Sequence, residues 1–240
     1  MTWHHSAVFN LLVGSCAFAA IGSAEAQTRV GEAAVVKNEV VRIARSASNQ
    51  LTVGDALLRD ETVRTGLESA ARLVLSDSTN LSLGANASLR LDRTVFDDST
   101  HYRDVAIKLT SGAFRFVTGN SDKAAYKITT PLSTIGVRGT TLDILSQRAR
   151  TVVNLQEGAS TVCTVSFECI QLTKPGDTAV ITSTGGKTMI KKTNNPPWTF
   201  AQTCATAAGL CSSTRYASAS PAMTPPLDDG SDPTGMLCGR

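Results

Sequence analysis

Thr130-Pro131-Leu132-Ser133-Thr134-Ile135-Gly136-Val137-Arg138-Gly139-Thr140-Thr141-Leu142-Asp143-Ile144 reads as a strand, a tight glycine-punctuated turn and a second strand. Ile135 and Val137 alternate with small or polar residues, as do Leu142 and Ile144, which is the period of a strand with one buried face. Pro131 has a fixed φ and no amide hydrogen, so it belongs at the start or the edge of a strand. Gly136 and Gly139 bracket Val137-Arg138 and permit close backbone approach or a positive φ at the corner.

The same period extends in both directions. Leu73 and Leu75, Leu81 and Leu83, and Leu89 and Leu91 form short alternating pieces, separated by Ser76-Asp77-Ser78-Thr79-Asn80 and by Gly84-Ala85-Asn86. Ile107 with Leu109, Phe114 with Phe116, and Tyr126 with Ile128 continue the series, and Glu157-Gly158 is a further turn signal. Val36 to Ala47 is the one stretch that admits a helix, and its β-branched residues favour strand instead. The expected fold class is therefore all-β, with short strands in a compact stack or sandwich. The eight-residue spacing of Leu73, Leu81 and Leu89 also suits a β-solenoid-like coil, and a run of antiparallel hairpins is the simpler reading.

Leu11 to Ile21 is apolar or small, the length of a signal-peptide core and shorter than a membrane span, and Ala24-Glu25-Ala26 supplies the small residues of a cleavage site. Residues 1–26 are expected to be a signal peptide, with the mature chain starting at Gln27. Cys16 after Val13-Gly14-Ser15 imitates a lipoprotein site, but cleavage there would leave a very short leader. No later apolar run has membrane-spanning length, so a periplasmic or secreted protein without a transmembrane segment in the mature chain is expected. Residues 27–190 are expected to form the β domain. Residues 191–240 are expected to form a partly disordered tail, beginning at Lys191-Lys192-Thr193-Asn194-Asn195-Pro196-Pro197 and proline-rich from Pro221 to Pro233, with Trp198 and Phe200 folding back as an anchor.

The chain has 23 Lys and Arg against 20 Asp and Glu, and loss of Glu25 with the leader raises the net charge from +3 to +4. This mild, scattered positivity, with three tyrosines, offers no basic-aromatic surface for nucleic acid. Of the six cysteines, Cys163, Cys169, Cys204, Cys211 and Cys238 follow the leader. In an oxidising compartment they are expected to form disulfides, most simply Cys163 with Cys169 and Cys204 with Cys211, leaving Cys238 free or intermolecular. His101 is the only histidine beyond the leader, which argues against zinc, and Asp97, Asp98 and Asp104 lack the spacing of a calcium loop. No cofactor or metal is expected.

The ordered set of these elements resembles the FecR domain family. Gly31-Glu32-Ala33 with Val35-Val36 is similar to its opening strand. Leu51 to Asp55 followed by Val63-Arg64-Thr65-Gly66 resembles its G-D-x-L turn and the strand ending in T-G. Ala70 to Leu83 resembles its A-x-L-x-L-x-D-G-S strand pair, with Ser78 where the family usually has glycine. Leu109 to Phe114, Thr130-Pro131, Gly136-Val137-Arg138-Gly139-Thr140 and Gln156-Glu157-Gly158 complete the resemblance, which covers residues 31 to 180. It implies a noncatalytic exported sensing or interaction module, best known from iron-uptake regulation. The family's regulators carry a cytoplasmic anti-sigma region and one membrane helix before the exported domain. About ten residues precede the apolar stretch here, which fits a stand-alone secreted form and leaves iron unestablished as a signal.

The signature residues Pro131, Gly136, Arg138, Gly139 and Thr140 are candidate partner contacts. Arg138 has two readings: an exposed guanidinium for a partner's carboxylate or carbonyl, or an internal clamp on backbone carbonyls, Asp143 or Glu157. The core-like neighbours Ile135, Val137 and Leu142 favour the clamp. An enzyme finds little support, because His101 beside Asp104 lies in a polar loop and Gly185-Gly186-Lys187-Thr188 lacks the full spacing of a phosphate loop. The expected function is binding of an envelope protein or cell-wall component. The alternatives are a structural scaffold that self-associates and an exported hydrolase acting on glycan.

Overall fold

The computed structural model describes residues 28–44, 47–96 and 101–206. The described residues form fifteen strands and two short 3₁₀ segments, an all-β structure. In chain order the strands are β1 (Arg29–Lys37), β2 (Val40–Ala44), β3 (Ala47–Gln50), β4 (Ala56–Leu58), β5 (Thr62–Thr65), β6 (Ala70–Leu75), β7 (Asn80–Leu83), β8 (Ser88–Phe96), β9 (Tyr102–Val117), β10 (Tyr126–Thr129), β11 (Ser133–Ser146), β12 (Arg150–Thr164), β13 (Cys169–Leu172), β14 (Thr178–Thr184) and β15 (Lys187–Thr193).

They are hydrogen-bonded in the order β15-β14-β12-β11-β10-β9-β7-β6-β1-β4. Beside this path β13 pairs with β12, β8 joins β9 to β5, and β2 joins β5 to β3. The path has open ends, so no barrel closes among the described residues. The eight-residue leucine interval is not a coil repeat: β6 and β7 form an antiparallel hairpin, and β8 leaves it to pair with β5 and β9.

Three strands are too long to be simple: β9 has 16 residues, β11 has 14 and β12 has 15. Each changes neighbours part-way. The start of β9 pairs with β8 and β10 and its end with β7 and β11, while β11 moves from β10 to β9. Glycines with positive φ lie where the strands turn: Gly112 (φ 106°), Gly139 (φ 65°) and Gly158 (φ 84°). The expected strand–turn–strand at Gly136–Gly139 is thus one bulged strand, with the register of β11 against β12 shifting between Arg138 and Thr141. Glu157-Gly158 is likewise a bulge inside β12 instead of a turn. A bulge suffices because both halves of each strand keep a pairing partner, so the ladder resumes after one unpaired step.

Side chains from both halves of the bent strands meet in one core. Leu89, Ile107, Ile128, Ile135 and Val162 share a cluster with Leu73, Leu81, Phe116, Ile144 and Val153. The alternation read from the sequence holds in it, since Leu75, Leu83, Phe116 and Ile144 are each at most 2% exposed. Gly185 and Gly186, both with positive φ, close the two-residue hairpin between β14 and β15, which is the use of the sequence that imitated a phosphate loop. Among the described residues no helix is long and apolar enough to cross a membrane.

Candidate functional site

The signature begins in a latched turn. Thr130 Oγ1 accepts the amide hydrogens of Ser133 (3.0 Å) and Leu132 (3.3 Å) and also bonds Ser133 Oγ (2.9 Å) and Thr151 Oγ1 (3.2 Å). Pro131 rides on this turn, exposed, where its missing amide hydrogen is no loss. From Ser133 the strand alternates. Ile135 and Val137 point into the core, and Gly136 and Arg138 are exposed on the outer face. Cross-strand register places Lys127 and Thr161 opposite Gly136 and Cys163 opposite Thr134, so these residues share that face. Lys127 and Thr161 are exposed as well.

The two glycines of the signature have different reasons to be there. Gly139 adopts a left-handed φ, and a Cβ on its partner Gly158 would collide with the Gly139 carbonyl oxygen, so packing requires glycine at 158 and the bulge favours it at 139. Gly136 has no positive φ, and the one atom near a Cβ there would be the Thr161 carbonyl oxygen at 3.9 Å. Thr140 is buried: its amide donates to Thr118 Oγ1 (2.9 Å), which in turn bonds the Thr140 carbonyl (3.1 Å).

The clamp that favoured a buried Arg138 exists, but another arginine makes it. Asp143 is wholly buried and takes a two-point contact from Arg115, Nε to Oδ1 at 2.7 Å and the second guanidinium nitrogen to Oδ2 at 3.0 Å. Its Oδ2 also accepts Gln156 Nε2 (3.2 Å) and the Phe200 amide (3.1 Å). Arg115 lies 5.4 Å under the centroid of the buried Phe200 ring. Cross-strand pairing puts Arg115 opposite Asp143, so reach follows from register. Arg138 lies on the other side of the Gly139 bulge, with its side chain in solvent. The sequence signal for Arg115 was a charged residue between Phe114 and Phe116, which pointed to the face opposite the core without showing that Phe200 covers it.

Two further polar clusters are structural. Asp77 is buried, and its carboxylate accepts hydrogen bonds from the hydroxyls of Tyr126, Ser121 (2.8 Å) and Thr79 (3.0 Å). Burial, and then the hydrogen bond to Asp77, pushes the Tyr126 phenol up to about 12. Arg42 pairs with the wholly buried Glu61 at 2.5 Å, and burial pushes the Glu61 carboxyl up against the pull of the Leu58 backbone and Arg42. Among the described residues no group of three or more His, Cys, Asp or Glu side chains is placed to hold a metal ion. His101 is exposed, and Asp97 and Asp98 lie outside the described residues.

Cys163 and Cys169 stand opposite each other across β12 and β13 and are bridged. Cys211 and Cys238 lie outside the described residues, as does any contact of the Cys204 side chain. The bridge closes a loop that the sequence marked only as a clamp: Val165 and Phe167 project from it, 57% and 89% exposed.

Residues 61–160 match the family model described as FecR protein. No curated protein matches the chain. Two crystal structures of a candidate anti-sigma factor from Parabacteroides distasonis ATCC 8503 are similar to it, each at 16% identity with a TM-score of 0.46. Each alignment covers 56% of this chain and 60% of the other, so the chain spans less than two thirds of those relatives. Across residues 61–160, from the segment entering β5 to the latter part of β12, the chain carries a FecR-domain-like fold.

Proposed function

We propose that this protein is a noncatalytic, exported interaction module that binds an envelope protein or cell-wall component through the outward face of β11 around Gly136 and Arg138. The observation that carries the reading is Gly136. Glycine in a strand interior weakens the strand, by roughly 0.5–1 kcal/mol against alanine. Nothing inside the fold requires it at 136, where a side chain has room. A bare backbone beside the exposed Arg138 and Lys127 suits close approach of a partner's main chain, with a guanidinium to meet a carboxylate or carbonyl. The Cys163–Cys169 bridge supports an oxidising compartment, and a chain starting at Gln27 with a separate tail remains part of this reading.

Among the described residues the buried carboxylates give the glycan-hydrolase alternative no support. It needs two carboxylates flanking one cleft, whereas Asp77, Asp143 and Glu61 are each wholly buried or nearly so and tied into separate structural clusters.

Photocrosslinking in intact cells tests the proposal, with p-benzoylphenylalanine in place of Thr134 or Thr161. A hetero-adduct is expected at both positions, lost on Arg138→Glu and weakened by Gly136→Val. Recovery of uncrosslinked protein alone from both positions would overturn it.

A further inference from the structure

The loop between the bridged cysteines is built to hold an aromatic ring in water. Phe167 adopts φ 65°, a left-handed conformation unfavourable for a non-glycine residue, and its side chain is 89% exposed. The loop does not drift into that shape. The Thr164 amide donates to the Glu168 carbonyl (2.8 Å), and the Phe167 amide donates to the Thr164 carbonyl (3.0 Å). Thr164 Oγ1 accepts the amides of Glu168 (3.2 Å) and Ser166 (3.3 Å), and the Val165 amide donates to the Leu132 carbonyl (3.2 Å). Folding alone would put glycine or asparagine at 167. A rigid loop that presents phenylalanine instead, with Val165 beside it and Glu168 next in sequence, has the form of a preorganised anchor.

The same molecule carries a receptacle at the other end of β12. Where β12, β14 and β15 run together and the chain after β15 crosses back toward Phe200, an open groove of about 530 Å³ is lined by Val180, Thr182, Met189 and Pro197, with Arg150 and Lys191. Met189 is 52% exposed in it. The groove contains no acidic residue, so its charge complements Glu168 beside the Phe167 ring.

We infer that Phe167 of one copy inserts into the Val180–Met189 groove of a second copy, with Glu168 facing Arg150 and Lys191. Knob and groove lie at opposite ends of the fifteen-residue β12, so each copy offers both halves of the contact at separate places. Such a contact is head-to-tail and generates rings or open chains rather than a closed two-fold dimer. The inference goes beyond the binding reading above, because neither Gly136 nor Arg138 takes part.

Sedimentation of the full-length protein over a wide concentration range tests it. The unmodified protein is expected to form a ladder of assemblies larger than a dimer. Phe167→Asn, which suits the left-handed backbone, and Met189→Glu should each leave a folded monomer whose melting temperature is unlowered. Mixing these two variants restores one intact knob and one intact groove, so the mixture should stop at a dimer. Glu168→Lys should weaken association at least tenfold, and adding Lys191→Glu should restore it. An unmodified protein that stays monomeric throughout, association unchanged in Phe167→Asn, or a mixture that stays monomeric would each overturn the inference. So would a Phe167 ring held by the chain's own residues 207–240, seen as a monomer whose 167-position photocrosslinks are intramolecular.

Discussion

Gly136 and Gly158 occupy neighbouring strands, yet packing demands only one of them. A Cβ at 158 meets the Gly139 carbonyl oxygen, and its φ of 84° is itself unfavourable for other residues. Gly158→Ala is expected to lose more than about 2 kcal/mol in urea unfolding, from left-handed strain and overpacking together. Gly136→Ala should stay within about 0.5 kcal/mol of the parent or gain slightly, because the site is open and strand propensity rises. Equal losses at both positions would remove the case for Gly136 as a contact. Ser78 is the opposite instance: exposed at φ 69° in the β6–β7 hairpin, it stands where glycine is the natural occupant. Ser78→Gly is expected to raise stability by about 0.5–1 kcal/mol, read as a higher urea midpoint. At this scale the sequence was legible where one residue's own stereochemistry decided the matter, as for Pro131 at the start of its strand, whereas Gly185-Gly186 was read only as an incomplete phosphate loop and not as the hairpin turn it forms. It misled at Arg138, because the choice between clamp and exposed side chain depended on which strand lay across from Asp143. Phe167 went unread because its left-handed φ belongs to the closed loop and not to the residue type.

Register settles the elements in the same way. Asp143 and Arg115 face each other because β9 and β11 pair, and together they hold the segment at Phe200 onto the sheet. Asp143→Ala leaves an 11%-exposed guanidinium without its carboxylate and should cost about 3–5 kcal/mol. The double change Asp143→Ala with Arg115→Met removes the stranded charge and should recover part of that loss, which a double-mutant cycle in urea measures. The β14–β15 hairpin offers an acid test. Burial pushes the Asp177 carboxyl up, but the Lys192 hydrogen bond and the amides of Thr173 and Lys174 outweigh it and hold the group at about 2. A depressed carboxylate stabilises the fold above its ordinary pKa near 3.8 and loses that contribution as pH falls toward 2. Glu61 has the opposite sign: with its pKa raised, it disfavours the folded state as pH rises through and above 4.5. Amide exchange in β15 is therefore expected to quicken between about pH 4 and 2 more than in β11, and Lys192→Met should remove the difference. The elements were legible as strands from leucine spacing and β-branched content. Their continuity was not, since a glycine that ends a strand and one that bulges it look alike until the neighbouring strands are known.

Across the whole molecule, the bent strands decide how it comes apart. β9, β11 and β12 each contribute to both halves of the sheet, and the two halves bury their apolar faces in one cluster. Neither half can lose its pairing without breaking strands that the other half needs. The hydrophobic pattern announced a shared interior, but the strand order, the branching at β2, β5 and β8, and the parallel pairing of β9 with β10 came only with the pairing map. The consequence is a single cooperative unit. Ile107→Ala perturbs the half containing β8 and β10, and Leu81→Ala the half containing β6 and β7. Each removes a buried side chain at a cost of about 2–5 kcal/mol. Both are expected to lower one common midpoint, with Trp198 fluorescence and far-ultraviolet circular dichroism moving together in both variants. Should Leu81→Ala split the transition while Ile107→Ala does not, the two halves would be separate folding units joined by flexible corners, and Gly112, Gly139 and Gly158 would be hinges between them instead of bulges within one sheet.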